Sequence, residues 1–207
     1  MGVEKIYGKV EQIPPKPTGV VRTILGGGLD WLHRGHIVYL EIAGKKDLLI
    51  PVLRELDQDT SVIENSELEL VVRVKTDYVL RRKKLRPILP LGERVRAVAE
   101  LDYVSYVISS DLSTLAISRL VEADIAFYST TTKDYNSEEN RRKKEKLLRN
   151  GIRVVTLPEL VDSSTTKKLK KFFLGSTKVN EIEISFKGSS GEEAVFPLLY
   201  AGDLCLT

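Results

Sequence analysis

The sequence predicts an α/β fold in which helices cover both faces of a doubly wound parallel sheet of about five strands. Short apolar runs of strand length alternate along the chain with amphipathic segments whose apolar residues recur at helical spacing. The first strongly apolar run ends in three successive glycines, Gly26 to Gly28, shortly before a helical segment. Because ligands of such folds bind at the carboxyl ends of the strands, this glycine turn is the predicted site.

The composition is that of a single folded domain with a full core. The chain has 207 residues, of which 42% are hydrophobic and 29% are charged. Its one cysteine, Cys205, excludes an internal disulfide. No apolar run approaches the ~20 residues of a membrane helix, and the first 16 residues lack the apolar centre of a signal peptide. We therefore expect a cytoplasmic protein that does not bind membranes.

The charge distribution does not favour nucleic-acid binding. Basic residues outnumber acidic ones by only 32 to 29, for a net charge of +3. Three short basic clusters, at 81–84, 141–144 and 167–171, contain no interleaved aromatic side chains on which bases could stack. We expect these clusters to lie on solvated faces, and we expect no nucleic-acid partner.

The chain begins with a polar arm, residues 1–19, in which Pro14, Pro15 and Pro17 stop regular structure after a short strand at 6–10. The main domain is predicted to span 20–173, with its first strand at 20–25 and its first helix beginning near His33.

An insertion at about 44–67 interrupts the alternation of strands and helices. Its apolar residues recur at helical spacing, and Pro51 suits the start of a helix. We predict an inserted helix followed by a loop, so that the second strand is 68–74. The alternative, in which 48–53 is the second strand, stays open.

The remaining elements continue the same alternation. In order they are a helix at 95–101, a strand at 103–108, a helix at 112–123, a strand at 124–128, a polar helix at 137–149, a strand at 152–155 and a helix from Asp162 or Ser163 to about 173. The tail, 174–207, alternates apolar and polar residues on both sides of a Gly-Ser-Ser-Gly turn, which predicts a β-hairpin. This hairpin is expected to extend the sheet edge or to make a subunit contact, so a homodimer is one expected assembly.

Two histidines follow the glycine turn. Glycines let backbone N–H groups approach an anion closely, and a helix that starts there directs its positive end at the same place. His33 and His36 are three residues apart, so both rings share one face if the helix begins near His33. Gly35 between them has no side chain to block a ligand. The pattern predicts a phosphate site, and the alternative is a helix cap beside a solvated ring.

This stretch resembles the signature of the cytidylyltransferase-like nucleotidyltransferases, Gly-Thr-Phe-Asp followed by His-x-Gly-His. The matching residues are Gly27, Asp30, His33, Gly35 and His36, whereas Gly28 and Leu29 replace the Thr-Phe pair. The resemblance covers about 20–172 apart from the insertion, and it is greatest to heptose-1-phosphate adenylyltransferases and glycerol-3-phosphate cytidylyltransferases. Its further motifs are Glu93-Arg94, Asp134-Tyr135 and the Ser-Thr-Thr signature of 163–166.

The resemblance implies a Rossmann-like domain that transfers AMP or CMP from ATP or CTP to a small phosphate monoester such as a sugar phosphate. Pyrophosphate leaves, and Mg²⁺ accompanies the nucleoside triphosphate. The turn at 157–161 lacks the arginine of the glycerol-phosphate enzymes, which favours ATP. The implied roles are catalysis by His33, His36 and Arg94, nucleotide binding by Gly27, Gly28, Asp30, Gly35, Ser164, Thr165 and Thr166, and acceptor binding by Lys84, Arg86 and Asp134.

Two alternatives stay open at the level of function. One is adenylylation of flavin mononucleotide (FMN), as in FAD synthases. The other is a catalytically silent nucleotide-binding or scaffold protein, supported by the altered turn and by Thr131-Thr132 in place of two glycines. For single residues, Arg94 is either a ligand contact or a surface charge. Trp31 is expected to pack under the turn rather than stack on a base.

Overall fold

A computed structural model describes residues 2–83, 87–130, 136–158, 183–187 and 193–197. Six strands form one sheet, in which every neighbouring pair is parallel. The strands are β1 (Ile6–Tyr7), β2 (Val20–Gly27), β3 (Glu67–Val74), β4 (Tyr106–Ser109), β5 (Ile125–Ser129) and β6 (Arg153–Leu157). Their spatial order is β1-β4-β3-β2-β5-β6, which confirms the predicted doubly wound fold. The sixth strand comes from the N-terminal arm, where Ile6 pairs with Val107.

Helices cover both faces of this sheet. They are α1 (Arg34–Gly44), α2 (Lys46–Glu55), α3 (Ser61–Glu64), α4 (Asp77–Lys83), α5 (Leu91–Ala99), α6 (Thr114–Leu120) and α7 (Glu138–Arg149). One face packs against α1, α2 and α5, and Val72 of β3 lies in that core. The other face packs against α6 and α7, and the neighbouring Val71 lies there. Successive residues of a strand point to opposite faces, so β3 is buried on both.

The strand order reverses between β2 and β5. Helix α1, which follows β2, packs on one face of the sheet, whereas α7, which follows β5, packs on the other. Ligands of open α/β sheets bind at the carboxyl ends of the strands at such a switch point. The glycine turn ends β2 at this switch point.

The insertion is helical, as predicted. Helix α2 buries Leu49 and Leu53 completely, and β3 pairs with β2 from Val20 opposite Glu67 to Gly27 opposite Val74. The alternative that made 48–53 the second strand is wrong. The predicted helix start at Pro51 is also wrong, because α2 begins at Lys46 and contains Pro51 in its interior. That proline removes one helical N–H donor, and burial of the two leucines outweighs the loss.

The predicted C-terminal hairpin is present as β7 (Glu183–Lys187) and β8 (Glu193–Pro197), which pair antiparallel. The predicted final helix, from Asp162 or Ser163 to about 173, lies outside the described residues, and the predicted domain limits stay a prediction. None of the helices in the described ranges combines the length and the apolar character needed to cross a membrane.

Candidate active site

The turn after β2 has an unusual backbone. Leu29 and Trp31 both adopt positive φ values, 46° and 57°, in the left-handed region that favours glycine. Each such residue costs on the order of 1–3 kcal/mol and persists only where its surroundings fix it. The side chain of Leu29 is buried in the core, at 3% exposure, whereas that of Trp31 is 49% exposed. The expectation that Trp31 packs under the turn is therefore wrong, and Leu29 takes that place.

Asp30 fixes this turn from inside. Its buried carboxylate accepts backbone N–H bonds from Ile88, at 2.9 and 3.0 Å, and from Leu89, at 2.9 Å. Hydrogen bonds to a charged acceptor contribute about 1.5–3 kcal/mol each, enough to offset the backbone strain on either side. The carboxylate therefore orders the turn, and nucleotide binding by Asp30 stays a prediction.

The two histidines lie together where α1 begins. His33 is the residue just before the helix, and the ring centroids of His33 and His36 are 3.8 Å apart with their planes 23° from parallel. The prediction that both rings share one face is confirmed. Gly35 is buried between them in the first turn. The pair forms a compact group of imidazole nitrogens at the positive end of an 11-residue helix.

Arg94 ties the turn to the neighbouring strand. Its side chain is completely buried. Its Nη1 donates to the carbonyls of Gly28, at 2.6 Å, and Lys75, at 2.8 Å. Its Nε donates to Leu89 at 3.1 Å, and Nη2 donates to the Asp77 carboxylate. The surface-charge alternative is therefore wrong. All three guanidinium nitrogens are engaged by protein, which is the arrangement of a positioning residue; a direct phosphate contact stays a prediction.

A set of contacts that the sequence does not predict joins α1 to the ends of β5 and β6. The Ser129 hydroxyl donates to Tyr39 Oη at 2.9 Å, and Tyr39 donates to the carbonyl of Pro158. Ser129 ends β5 and Pro158 follows β6, so the helix that carries both histidines is fixed to two strand ends. Nothing in the sequence pattern signals this contact, because Tyr39 also fits an amphipathic helix.

A second buried cation lies on the opposite face of β2. The guanidinium of Arg73 covers Gly26, where an added Cβ would meet Nε at 2.9 Å and would force the arginine side chain to shift. Its Nη1 donates to the Leu112 carbonyl at 2.6 Å. Burial lowers the pKa of Arg73 below its usual value, and burial raises the pKa of the nearby Tyr128. The sequence suggests that the glycines give a ligand access to the backbone. At Gly26 the close packing of Arg73 is a second reason for a residue without a side chain.

Several predicted site residues lie outside the described residues. They are Lys84, Arg86, Asp134, Ser164, Thr165 and Thr166. Their contact with the histidine pair therefore stays a prediction. Over the described ranges, no group of three or more His, Cys, Asp or Glu side chains is arranged to hold a metal ion. What the described part of the site offers is hydrogen-bond donors, a helix N-terminus and close backbone, which suit phosphate groups.

Comparisons with known proteins support this chemistry at a coarse level. No protein-family model matches the chain. It is 38% identical over 80 residues to an FAD synthase of Methanopyrus kandleri, a match that covers 39% of this chain and 42% of that protein. It is 27% identical over 154 residues to an FAD synthase of Pyrococcus horikoshii, covering 72% of this chain and 88% of that protein.

A solved structure is also similar, the lipopolysaccharide core biosynthesis protein of Thermoplasma volcanium GSS1. It has a TM-score of 0.47 and 24% identity, and the match covers 67% of this chain and 95% of that chain. FAD synthases are nucleotidyltransferases, consistent with the predicted enzyme class. The relatives support the nucleotidyltransferase superfamily and not the particular likeness to heptose- or glycerol-phosphate enzymes.

Proposed function

We propose that this chain is a nucleotidyltransferase that transfers AMP from ATP to a small phosphate monoester and releases pyrophosphate. The observation that carries the proposal is the stacked pair of His33 and His36 at the start of α1, on a glycine turn fixed by Asp30 and Arg94. The two relatives named FAD synthase support adenylyl transfer over cytidylyl transfer.

The reaction needs positioning more than proton transfer. An oxygen of the acceptor phosphate attacks the α-phosphorus of ATP, and the bond from that phosphorus to the β-bridging oxygen breaks. Pyrophosphate leaves with the electron pair. Because the attacking phosphate is already anionic near neutral pH, no strong general base is required. In this proposal His33 and His36 donate hydrogen bonds to the charge that develops on the phosphates, worth about 3 kcal/mol each in favourable geometry.

Mg²⁺ enters this scheme as part of the substrate, bound to the oxygens of the triphosphate. The Asp30 carboxylate is already engaged by two backbone N–H groups, so it is not assigned as a metal ligand. We expect the metal to offset triphosphate charge while the protein supplies donors around it.

The acceptor is a phosphate monoester in every version of this proposal. The relatives' name favours FMN, which carries such a phosphate, as the first acceptor to test. Sugar phosphates, favoured by the sequence resemblance, are the second class.

The test is a pyrophosphate-release assay with ATP or CTP against FMN, sugar phosphates and glycerol 3-phosphate. His36→Ala should reduce turnover by at least a hundredfold while circular dichroism shows an intact fold. Arg149→Ala, at the exposed end of α7, is the matched control and should keep full activity. Undiminished turnover of His36→Ala would contradict the proposed role of the histidine pair in the reaction. ATP binding without pyrophosphate release for any acceptor would instead support a silent nucleotide-binding protein.

A further inference from the structure

Three large apolar side chains are exposed around the candidate site. Trp31 is 49% exposed, Tyr78 is 64% exposed and Ile88 is 46% exposed. A single exposed apolar residue is ordinary, but a group of them at one edge of the sheet marks a contact surface for a ligand or partner.

One hydrogen-bonded network brings these three residues to the same edge of the sheet. The Asp30 carboxylate, next to Trp31 in the chain, accepts the Ile88 N–H at 2.9 Å. Arg94 joins the carbonyl of Leu89 to the carboxylate of Asp77, which precedes Tyr78. The Lys75 N–H donates to the Gly27 carbonyl at 2.9 Å, so the exits of β2 and β3 are also joined directly.

Trp31 combines an exposed ring with a strained backbone. Its φ of 57° lies in a region that is unfavourable for a bulky residue, and the fixed turn holds it there with the ring in solvent. A tryptophan held outward at such a cost, two residues before His33, is well placed to meet a substrate that reaches the histidine pair.

The charges next to this surface suit a phosphorylated ligand. Arg81 and Arg82 are exposed on α4, and the Arg82 guanidinium lies 5.9 Å from the centre of the Tyr78 ring. The surface therefore combines aromatic rings with positive charge. A sugar phosphate offers Trp31 only the small C–H face of its ring, whereas an aromatic phosphate monoester offers a larger planar ring.

We propose that Trp31, Tyr78 and Ile88 form a contact surface for the planar ring of the acceptor, and that this surface selects aromatic phosphate monoesters over sugar phosphates. The proposal rests on the proposed function and deepens it. Trp31 is the specificity-determining residue, because stacking on an aromatic ring is the strongest contact the surface offers.

The test uses FMN as the probe, with its dissociation constant measured by isothermal titration calorimetry, a readout that needs neither turnover nor the Trp31 ring itself. Trp31→Ala should weaken FMN binding about tenfold and raise the KM for FMN by a similar factor, while the KM for ATP stays within twofold. Trp31→Phe should restore most of the affinity. Leu120→Ala removes an equally exposed side chain from α6 on the opposite face and should change nothing.

The outcomes separate this inference from the proposed function. If the native chain releases pyrophosphate with FMN but Trp31→Ala binds FMN unchanged, the surface is not the acceptor site and the transferase proposal survives. A rise in the KM for ATP alone would assign the surface to the adenine base and overturn the inference. If FMN does not bind the native chain, the inference is overturned whether or not a sugar phosphate is turned over.

Discussion

Arg22 and Arg94 are both almost completely buried, and both make four or more hydrogen bonds, yet their surroundings differ. Arg22 lies within β2 on the α6 face. It donates twice to the Glu69 carboxylate, at 2.6 and 2.8 Å, and to the carbonyls of Pro14 and Val121. The Tyr106 ring lies 5.3 Å from its guanidinium. This cluster joins strands, helix and arm, and Glu122, the residue after Val121, has a positive φ of 52°.

Arg94 makes a similar number of bonds around a different kind of structure. Its partners border a turn with two left-handed residues, Leu29 and Trp31, and a stacked histidine pair. In the Arg22 cluster the buried charge supports the fold alone. Around Arg94 it supports a strained surface that faces solvent. A left-handed residue borders both clusters, so the comparison indicates that neither a buried charge nor a strained residue identifies a site, whereas the histidine pair and the exposed aromatic side chains lie beside Arg94 alone of the two.

The largest expected effect is on stability at the Arg22 cluster. Arg22→Met leaves the Glu69 carboxylate, only 19% exposed, without its cation, and should lower the free energy of unfolding by about 3–5 kcal/mol. Chemical denaturation measures this loss. Arg119→Met, at an exposed position, is the control. The folded fraction of Arg22→Met should keep the native kcat. A lower kcat in that fraction would mean that the Arg22 cluster also supports the active site.

The next effect is on activity at the Arg94 cluster. Arg94→Lys keeps the positive charge, but an ammonium group has too few donors to bond three carbonyls and a carboxylate at once. The conformation of the turn should therefore change. We expect kcat for pyrophosphate release to fall about a hundredfold, equivalent to ~2.7 kcal/mol in the barrier. Arg96→Lys, exposed on the same helix, should be neutral. Equal activity of the two variants would show that Arg94 supports the fold alone, as Arg22 does.

A smaller effect tests the strain itself. Trp31→Gly replaces a bulky residue at φ 57° with one that adopts this conformation freely, and should raise the free energy of unfolding by about 1 kcal/mol. Trp31→Ala keeps a Cβ at the same φ and should gain less. Chemical denaturation of the native chain and the two variants measures these differences in the free energy of unfolding. Loss of stability in Trp31→Gly would mean that the ring packs in the folded state and that the backbone is not strained.

The smallest effect concerns pH at the Arg22 cluster. Burial, together with the negative Glu69, raises the pKa of the Tyr106 hydroxyl above its usual value of 10.0. The folded state therefore binds the Tyr106 proton more tightly than the unfolded state does. This contribution to stability is complete below about pH 10 and is lost as the pH rises through the folded-state pKa. Tyr106→Phe should lose less stability than the native chain between pH 9 and 11, and an identical loss would contradict the assignment.

The sequence predicted the parts of this molecule that depend on periodicity and on short-range pattern. The alternation of apolar runs with amphipathic segments predicted the parallel sheet, and helical spacing predicted the inserted helix. Both predictions succeeded because these elements are stabilised by burial of the apolar residues that form the pattern. The face shared by His33 and His36 followed from helix geometry alone.

The missed features depend on contacts between distant segments. Whether Arg94 is buried is decided by carbonyls near Gly28 and Lys75, far from it in the chain. The left-handed φ of Trp31 is not predicted by the local sequence, because left-handed backbone is predictable mainly at glycine. Pro51 fits a helix start by local preference, and tertiary burial moved the start to Lys46.

The two-residue strand of the N-terminal arm has a consequence for handling the protein. Ile6 and Tyr7 occupy the outer side of β4, whose Val107 and Ile108 are completely buried. Without that cover, β4 would be a bare apolar edge, which is a template for pairing with another chain. Trimming the arm should therefore cause aggregation before it causes unfolding.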